Sequence, residues 1–280
     1  MEFFQTRDRL SLFYTARPAV SPKASIVFLH GVGEHIGRYE PALQAFAARG
    51  YHCYGFDQRG FGRSEGKRGH VHVFQDYVDD VAEFIARIVD EAAARPLFLF
   101  GHSMGSIVML NYVLQYPQII RGVLVFSCPL HLAGRLADYG AALAKKCSKY
   151  APQFTVPTLI DLDELTDNPR VIDDFEHDPC RLSTVTFGWL NQFTLAREHI
   201  GRHAGRIVSP ALICHGGSDR IAALSGAKAL YERLGSKDKS LIVYPGFKHE
   251  LLNHRPAESA QVLKETAAWL DKRLISLQKN

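Results

Sequence analysis

The chain has 280 residues, 46% of them hydrophobic and 22% charged, which is enough to bury one large core with an insertion. Its 33 Lys and Arg residues only slightly outnumber its 29 Asp and Glu residues, and no segment concentrates them, so we expect no nucleic-acid partner. No apolar run approaches the roughly 18 to 20 residues of a membrane span. Charged residues also interrupt the N-terminal stretch where a signal peptide needs an unbroken apolar run.

The five cysteines are odd in number and show no CxxC spacing. This pattern argues against a disulfide framework and against a zinc site, so we expect no metal. A reducing compartment fits best. We therefore expect a cytoplasmic protein, with any contact to membranes being peripheral.

Strand and helix patterns alternate along most of the chain. Residues 3–16 alternate loosely around two apolar clusters, which is typical of an antiparallel edge hairpin. Helices following Tyr39 and Leu224 are predicted to end at Gly50 and Gly235, as C-cap glycines would end them. Short apolar runs between the helices predict buried parallel strands. These runs are Ser25–Gly31, Tyr51–Asp57, Pro96–Ser103, Gly122–Cys128, Pro210–Gly216 and Ser240–Gly246.

The alternation predicts an α/β fold with a mostly parallel, doubly wound sheet. It breaks once, over residues 129–205, where helical segments rich in Leu, Ala and Tyr are joined by prolines and no convincing strand is visible. We interpret this segment as an inserted helical cap, or lid. The predicted domains are thus a core of residues 1–128 and 206–280 and a cap of residues 129–205.

A GxSxG motif centred on Ser103 joins a predicted strand to a predicted helix. This strand, sharp turn and helix form the nucleophile elbow of α/β-hydrolases, in which the serine hydroxyl is displayed at the carboxyl edge of the sheet. Glycines two residues before and two after the serine allow the strained turn to pack closely. Ser103 is therefore the predicted nucleophile.

A serine hydroxyl needs a neighbouring base, and the base needs a carboxylate that fixes its tautomer. In this fold the chain order is serine, acid, histidine. Asp219 and His249 follow the last two predicted strands directly, at the edge where Ser103 is displayed. We predict His249 as general base and Asp219 as its acid. Asp57 is the main competitor for the acid, although bracing the loop after its own strand suits it better.

The loop that closes the first buried strand contains Val32. In α/β-hydrolases this loop and the residue after the nucleophile each supply one backbone N–H to the oxyanion hole. Val32 and Met104 are therefore the predicted oxyanion donors.

Five segments occur in order between about residues 25 and 275: HGVGEHIGRY, DQRGFGRSEG, GHSMG, HGGSDRI and GFKHELLNH. Together they closely resemble the monoacylglycerol lipase and lysophospholipase group of α/β-hydrolases. The resemblance implies hydrolysis of a mono-acyl lipid ester, a mobile cap over an apolar acyl tunnel, and no cofactor. Where some members of the group carry a second, glycerol-binding histidine, this chain has Leu252, with His254 two residues further on. The cap resembles the group only loosely, apart from HDP at residues 177–179.

The resemblance also implies that Glu34 and Arg38 lie where members of the group hold the polar head of the substrate. These two residues are four apart and would share one face of a helical turn, which favours an ion pair. Two interpretations remain open. Glu34 either accepts hydrogen bonds from substrate hydroxyls or, with Arg38, braces the oxyanion loop.

Two other functions fit the same fold. A proline-type serine aminopeptidase or amidase would need acidic cap residues to bind the substrate amine, and the cap contains five candidates. These are Glu164, Asp167, Asp173, Asp174 and Glu176. A non-catalytic ligand-binding homologue is the other alternative, and the intact set of Ser103, Asp219 and His249 argues against it.

Overall fold

The computed structural model describes residues 2–92, 95–134 and 136–277. The strands are β1 (Glu2–Gln5), β2 (Ser11–Arg17), β3 (Ala24–Leu29), β4 (Tyr51–Phe56), β5 (Leu97–His102), β6 (Ile120–Phe126), β7 (Thr155–Pro157), β8 (Thr184–Thr186), β9 (Ala211–Gly216) and β10 (Lys239–Tyr244). The helices are α1 (Glu40–Ala47), α2 (Gln75–Ala92), α3 (Met104–Gln115), α4 (Leu136–Cys147), α5 (Pro169–Glu176), α6 (Phe187–His203), α7 (Leu224–Arg233) and α8 (Pro256–Leu277).

Eight strands form one sheet in the order β1-β2-β4-β3-β5-β6-β9-β10. The N-terminal hairpin β1–β2 is antiparallel and joins β4 in antiparallel fashion, whereas the remaining neighbours run parallel. The α/β-hydrolase fold predicted from the sequence is therefore confirmed, including the edge hairpin and all six parallel strands, although the edge strand β10 is only half-buried.

Helices cover both faces of the sheet because its central strands are apolar on both faces. In β3, Val27 and Leu29 pack into a cluster with residues of α2, α3, α6 and α7. The alternate residues Ile26 and Phe28 pack into a second cluster with α1 and α8. Successive side chains of a strand point to opposite faces, so a continuous apolar run requires a layer of helices on each side.

The two glycines predicted to cap helices behave differently. Gly50 has φ +85°, the left-handed conformation expected after the end of α1. Gly235 follows α7 but does not have a positive φ, so the C-cap prediction was wrong there. A Cβ at Gly235 would lie 2.1 Å from the Gly205 carbonyl oxygen, so close backbone packing explains the glycine instead.

The segment predicted as a cap lies between β6 and β9, which are neighbours in the sheet and need no strand from it. It contains α4, α5 and α6, and also the short antiparallel pair β7–β8, which the sequence analysis missed. Each of these strands has three residues, too few to show a period. None of the helices in the described ranges combines the length and apolarity needed to cross a membrane.

Backbone hydrogen bonds join this inserted segment to the rest of the described chain at several places, including a pair between residues 131–133 and 221–223. The Leu182 N–H donates to the Gly33 carbonyl at 2.9 Å, and the Thr186 N–H donates to the Gly69 carbonyl at 2.9 Å. Another bond runs from the Glu250 N–H to the Leu165 carbonyl at 2.8 Å. The insertion is thereby held against the carboxyl edge of the sheet.

Candidate active site

Ser103 occupies the tight turn between β5 and α3, with φ 49° and ψ −121°. This conformation is unusual for a residue with a side chain and marks a strained functional turn. The flanking glycines are required by close packing, because a Cβ at Gly105 would lie 2.1 Å from the Leu29 carbonyl oxygen and one at Gly101 would lie 2.7 Å from that of Gly105. The turn has the geometry that the sequence analysis predicted for a nucleophile elbow.

His249 lines the same pocket as Ser103, and its Nδ1 lies 2.8 Å from Asp219 Oδ2. Both side chains are almost completely buried. The other oxygen of Asp219 accepts the N–H groups of Ile221 and Ala222 at 2.9 Å. Burial opposes the charged carboxylate, but the charge and hydrogen bond of His249 outweigh it and lower the pKa of Asp219. The loops after β9 and β10 thus bring together an ionised acid and an imidazole whose Nε2 remains for the serine hydroxyl.

Asp57, the competing acid, is engaged elsewhere. Its Oδ1 accepts the Ile36 N–H at 2.7 Å and its Oδ2 accepts the Arg63 N–H at 2.8 Å. It therefore braces the loop that follows β4, as the sequence analysis favoured, while Asp219 takes the contact with His249.

The two predicted oxyanion donors flank Ser103 in different ways. Val32 lines the pocket directly. Met104 is the first residue of α3 and its side chain is fully buried, so only its backbone concerns the site. An N–H in the first turn of a helix has no acceptor within that helix and carries the positive end of the helix dipole. Both backbone groups are thus suitable for holding a developing oxyanion.

The pocket has a volume of about 430 Å³, part of it open to solvent. One wall consists of apolar side chains from the inserted segment: Ile160, Leu162, Leu165, Phe175 and Leu182. Such a wall suits a hydrocarbon chain, whereas the end containing Ser103 and His249 is polar.

Glu34 and Arg38 also line the pocket, but protein groups already occupy their polar atoms. Glu34 Oε1 accepts the Tyr39 hydroxyl at 2.8 Å, His102 Nδ1–H at 3.0 Å and the Gly31 N–H. The predicted pair of Glu34 with Arg38 is present at 3.5 Å. The closer partner of Arg38 is Glu250, which accepts two hydrogen bonds from the guanidinium at 2.8 Å each.

Charge coupling within this buried network shifts two pKa values in opposite directions. Burial alone favours neutral Glu34, but its hydrogen bond and charge interaction with His102, together with the charge of Arg38, lower the pKa of Glu34 well below its usual range. Burial also opposes a charged imidazole, yet Glu34 raises the pKa of His102. A doubly protonated His102 suits its surroundings, because Nδ1 faces Glu34 Oε1 and Nε2 faces the His249 carbonyl oxygen at 3.3 Å.

Sequence analysis missed three residues in and around this site, two of which contact His249. The His102 ring lies 4.9 Å from the His249 ring, between centroids. The Ser127 hydroxyl donates to the His249 carbonyl at 2.6 Å, and Glu250 anchors Arg38. The sequence offered a signal for two of them. His102 lies within the GHSMG motif, directly before Ser103, and Glu250 directly follows His249. Nothing in the sequence indicated Ser127.

His254, noted in the sequence because a related position can bind glycerol, is not among the residues that line the pocket. Its Nδ1 lies 2.6 Å from Glu258 Oε2, and its Nε2 accepts the Lys248 N–H at 3.5 Å. Leu252 lines a separate, smaller cavity together with His102 and Glu250. The structure therefore places neither residue beside Ser103.

The contacts of Glu34 lead to a prediction about its two open interpretations. Because Oε1 already accepts three hydrogen bonds, Glu34→Gln should lower kcat/KM for a monoacylglycerol and for a p-nitrophenyl ester of the same acyl chain by similar factors, about tenfold. Initial rates on both esters test this. A selective loss on the monoacylglycerol, with the p-nitrophenyl ester within about threefold, would instead identify Glu34 as a ligand of the substrate head.

The raised pKa of His102 predicts a dependence of stability on pH. A raised folded-state pKa contributes stability that is complete below the unfolded pKa of about 6.5 and is lost as pH rises through the folded value. The free energy of unfolding should therefore decline above about pH 6.5, and Glu34→Gln should weaken that decline because it removes the group that raises the pKa. Urea titrations of both proteins across this range measure the two slopes, and equal slopes would contradict the assigned coupling.

Comparisons with known proteins agree with this geometry. Residues 20–256 match the family model described as serine aminopeptidase, S33. A monoacylglycerol lipase of Mycolicibacterium smegmatis is 31% identical over 259 residues, covering 90% of each chain, and the monoglyceride lipase of Mus musculus is 32% identical over 265 residues, covering 92% of this chain and 86% of its own. The crystal structure of Paleococcus ferrophilus monoacylglycerol lipase superposes with a TM-score of 0.85 at 27% identity, covering 94% of this chain and 99% of that one. The chain belongs to the serine aminopeptidase S33 family of α/β-hydrolases.

Proposed function

We propose that this protein is a carboxylic ester hydrolase that acts on mono-acyl lipids through an acyl-serine intermediate. The observation that carries the proposal is that the elbow serine, Ser103, shares one pocket with His249, which pairs with Asp219, and with five apolar side chains of the insertion. The relatives named monoacylglycerol lipase support the class of substrate. The reaction needs one lipid ester and water, and we propose no cofactor and no metal.

In the proposed mechanism His249 Nε2 takes the Ser103 proton as the hydroxyl attacks the ester carbonyl. Asp219 keeps the imidazole in the required tautomer and stabilises the imidazolium that forms. The tetrahedral oxyanion accepts the N–H groups of Val32 and Met104. His249 then protonates the leaving alcohol, and a water activated by the same histidine hydrolyses the acyl-serine.

An aminopeptidase is not favoured, because the pocket offers no free carboxylate for a substrate amine. The pocket-lining acids, Glu34 and Glu250, both pair with Arg38, and Glu34 also accepts from His102. None of the five acidic cap residues considered in the sequence analysis is among the residues that line the pocket.

We propose that residues 129–205 act as a lid over a core of residues 1–128 and 206–280, and that this lid contacts lipid surfaces peripherally. Leu159 supports contact with lipid surfaces: it is 89% exposed, has φ 55°, and lies between the pocket-lining residues Thr158 and Ile160.

We also propose a cytoplasmic location, which the five unpaired cysteines support.

The test of function combines labelling with turnover. The purified protein should react with a serine-directed fluorophosphonate probe and hydrolyse p-nitrophenyl butyrate, whereas Ser103→Ala should do neither. A panel of monoacylglycerols, lysophospholipids and amino-acid amides then separates ester from amide hydrolysis. If the amides turned over faster than all of the esters, the aminopeptidase alternative would replace this proposal. Absence of both labelling and turnover would favour a non-catalytic binder.

A further inference from the structure

The pocket contains one cation that no carboxylate neutralises. Arg181, between α5 and β8, lines the pocket and is half-buried. Among the described residues no Asp or Glu oxygen lies within 4 Å of its guanidinium, and its nearest recorded partner is the Phe175 ring, 5.3 Å from Cζ to centroid. The donors of this guanidinium are therefore available to a ligand.

The other charged groups of the pocket compensate one another. Glu250 accepts two hydrogen bonds from Arg38, and Glu34 lies between Arg38 and His102. Arg38 also stacks on the Phe175 ring, with its Cζ 3.7 Å from the centroid. The charge of Arg38 is thus compensated by protein carboxylates. The charge of Arg181 has no such partner and is available to a substrate.

The position of Arg181 is fixed relative to the reaction centre. Its N–H donates to the Asp178 carbonyl at 3.1 Å. The next residue, Leu182, donates its N–H to the Gly33 carbonyl, and Gly33 directly follows the proposed oxyanion donor Val32. The residue that makes this backbone contact with the oxyanion loop directly follows Arg181, so the Arg181 side chain starts from a backbone position held close to that loop, in the pocket that contains Ser103.

We infer that Arg181 binds an anionic group on the alcohol portion of the substrate, and that a mono-acyl glycerol phosphate is the preferred substrate class. The planar guanidinium donates paired hydrogen bonds that match phosphate oxygens. The uncharged glycerol of a monoacylglycerol cannot use this charge. The inference rests on the proposed ester hydrolysis: the acyl C–O bond breaks, water supplies the acid hydroxyl, and the leaving glycerol phosphate oxygen takes its proton from His249.

A purely structural role is the alternative, since the Arg181 guanidinium also lies over the Phe175 ring, on which Arg38 stacks. Arg181→Gln removes the charge in either case, so the comparison among substrates decides between them. The matched control is Arg170→Gln, which makes the same change of charge at an exposed position of α5 that is not among the residues lining the pocket.

The experiment measures kcat/KM for 1-octanoyl-glycerol 3-phosphate, 1-octanoylglycerol and p-nitrophenyl octanoate. The unmodified protein should favour the phosphate ester over 1-octanoylglycerol by about tenfold. Arg181→Gln should lower the value for the phosphate ester about 10- to 100-fold, the range expected for a lost hydrogen bond to a charged group. The two uncharged esters should stay within about threefold, and Arg170→Gln should leave all three within about twofold.

A binding measurement separates this inference from the proposed function. Calorimetry should detect sn-glycerol 3-phosphate binding to the unmodified protein and to Arg170→Gln, with binding lost in Arg181→Gln and absent for glycerol. Equal losses on all three esters would overturn the inference in favour of packing on Phe175. Faster hydrolysis of 1-octanoylglycerol than of its phosphate would also overturn it while leaving ester hydrolysis intact. If no ester turned over, the proposed function would fail, and the binding result alone would support or overturn an anion site at Arg181.

Discussion

Replacing Ser103 with alanine is expected to lower kcat for a mono-acyl ester by about 10⁴- to 10⁶-fold. Ser103 stands on a strained turn and shares the pocket with His249, so its hydroxyl is the group proposed to form the acyl intermediate. His249→Ala should cost about as much, because without a base the hydroxyl is a poor nucleophile. The double variant should be no worse than either single variant, since the two residues act as one unit.

The control for this prediction is Ser218→Ala, which removes the hydroxyl of an exposed serine in the loop after β9 and should leave kcat unchanged. Circular dichroism and thermal unfolding should show that all four variants remain folded. If Ser103→Ala kept more than about one per cent of the activity with its fold intact, the assignment of the nucleophile would be wrong. Additive losses in the double variant would contradict a coupled pair.

Asp219→Asn is the second large effect, with an expected loss in kcat of about 10³- to 10⁴-fold. The carboxylate now accepts from His249 Nδ1 at 2.8 Å and from two backbone N–H groups. An asparagine that keeps the backbone contacts through its carbonyl presents its amide N–H₂ to Nδ1, which favours the tautomer with a proton on Nε2. That tautomer cannot take the serine proton.

Asp57→Asn is the informative comparison for Asp219→Asn. Each Asp57 oxygen accepts one backbone N–H, so the amide can satisfy only one of them. This variant should lose stability, measured by thermal unfolding, and keep kcat within about tenfold. If Asp57→Asn lost more activity than Asp219→Asn at a temperature where both are folded, the acid would have been misassigned.

The main sheet and the candidate triad were predictable because their signals are local. Each parallel strand is a short apolar run, and Ser103, Asp219 and His249 each follow such a run within a few residues. Parallel strands present their carboxyl ends at one edge of the sheet, so loops distant in the chain converge there. Chain order and strand pattern together were therefore sufficient to predict that these three residues lie at one site.

The charge network around Arg38 was less predictable because its partners are distant in sequence. Spacing of four residues indicated the pair with Glu34, which the structure places at 3.5 Å, but the closer partner Glu250 lies 212 residues away. The strands β7 and β8 were not predicted from the sequence for a related reason. Each has only three residues, and they pair across nearly thirty residues of irregular and helical chain.

Three of the bonds that hold the insertion to the core use main-chain atoms alone, and side-chain contacts such as that of His35 Nε2 with Asp178 Oδ2 add to them. Leu182 and Thr186 donate their N–H groups to Gly33 and Gly69, and Leu165 offers its carbonyl to Glu250. Every residue type supplies a carbonyl, and every type except proline supplies an N–H. Side chains in this segment that make no contact with the core can therefore change during evolution, altering which lipid tails fit, without loss of these main-chain bonds.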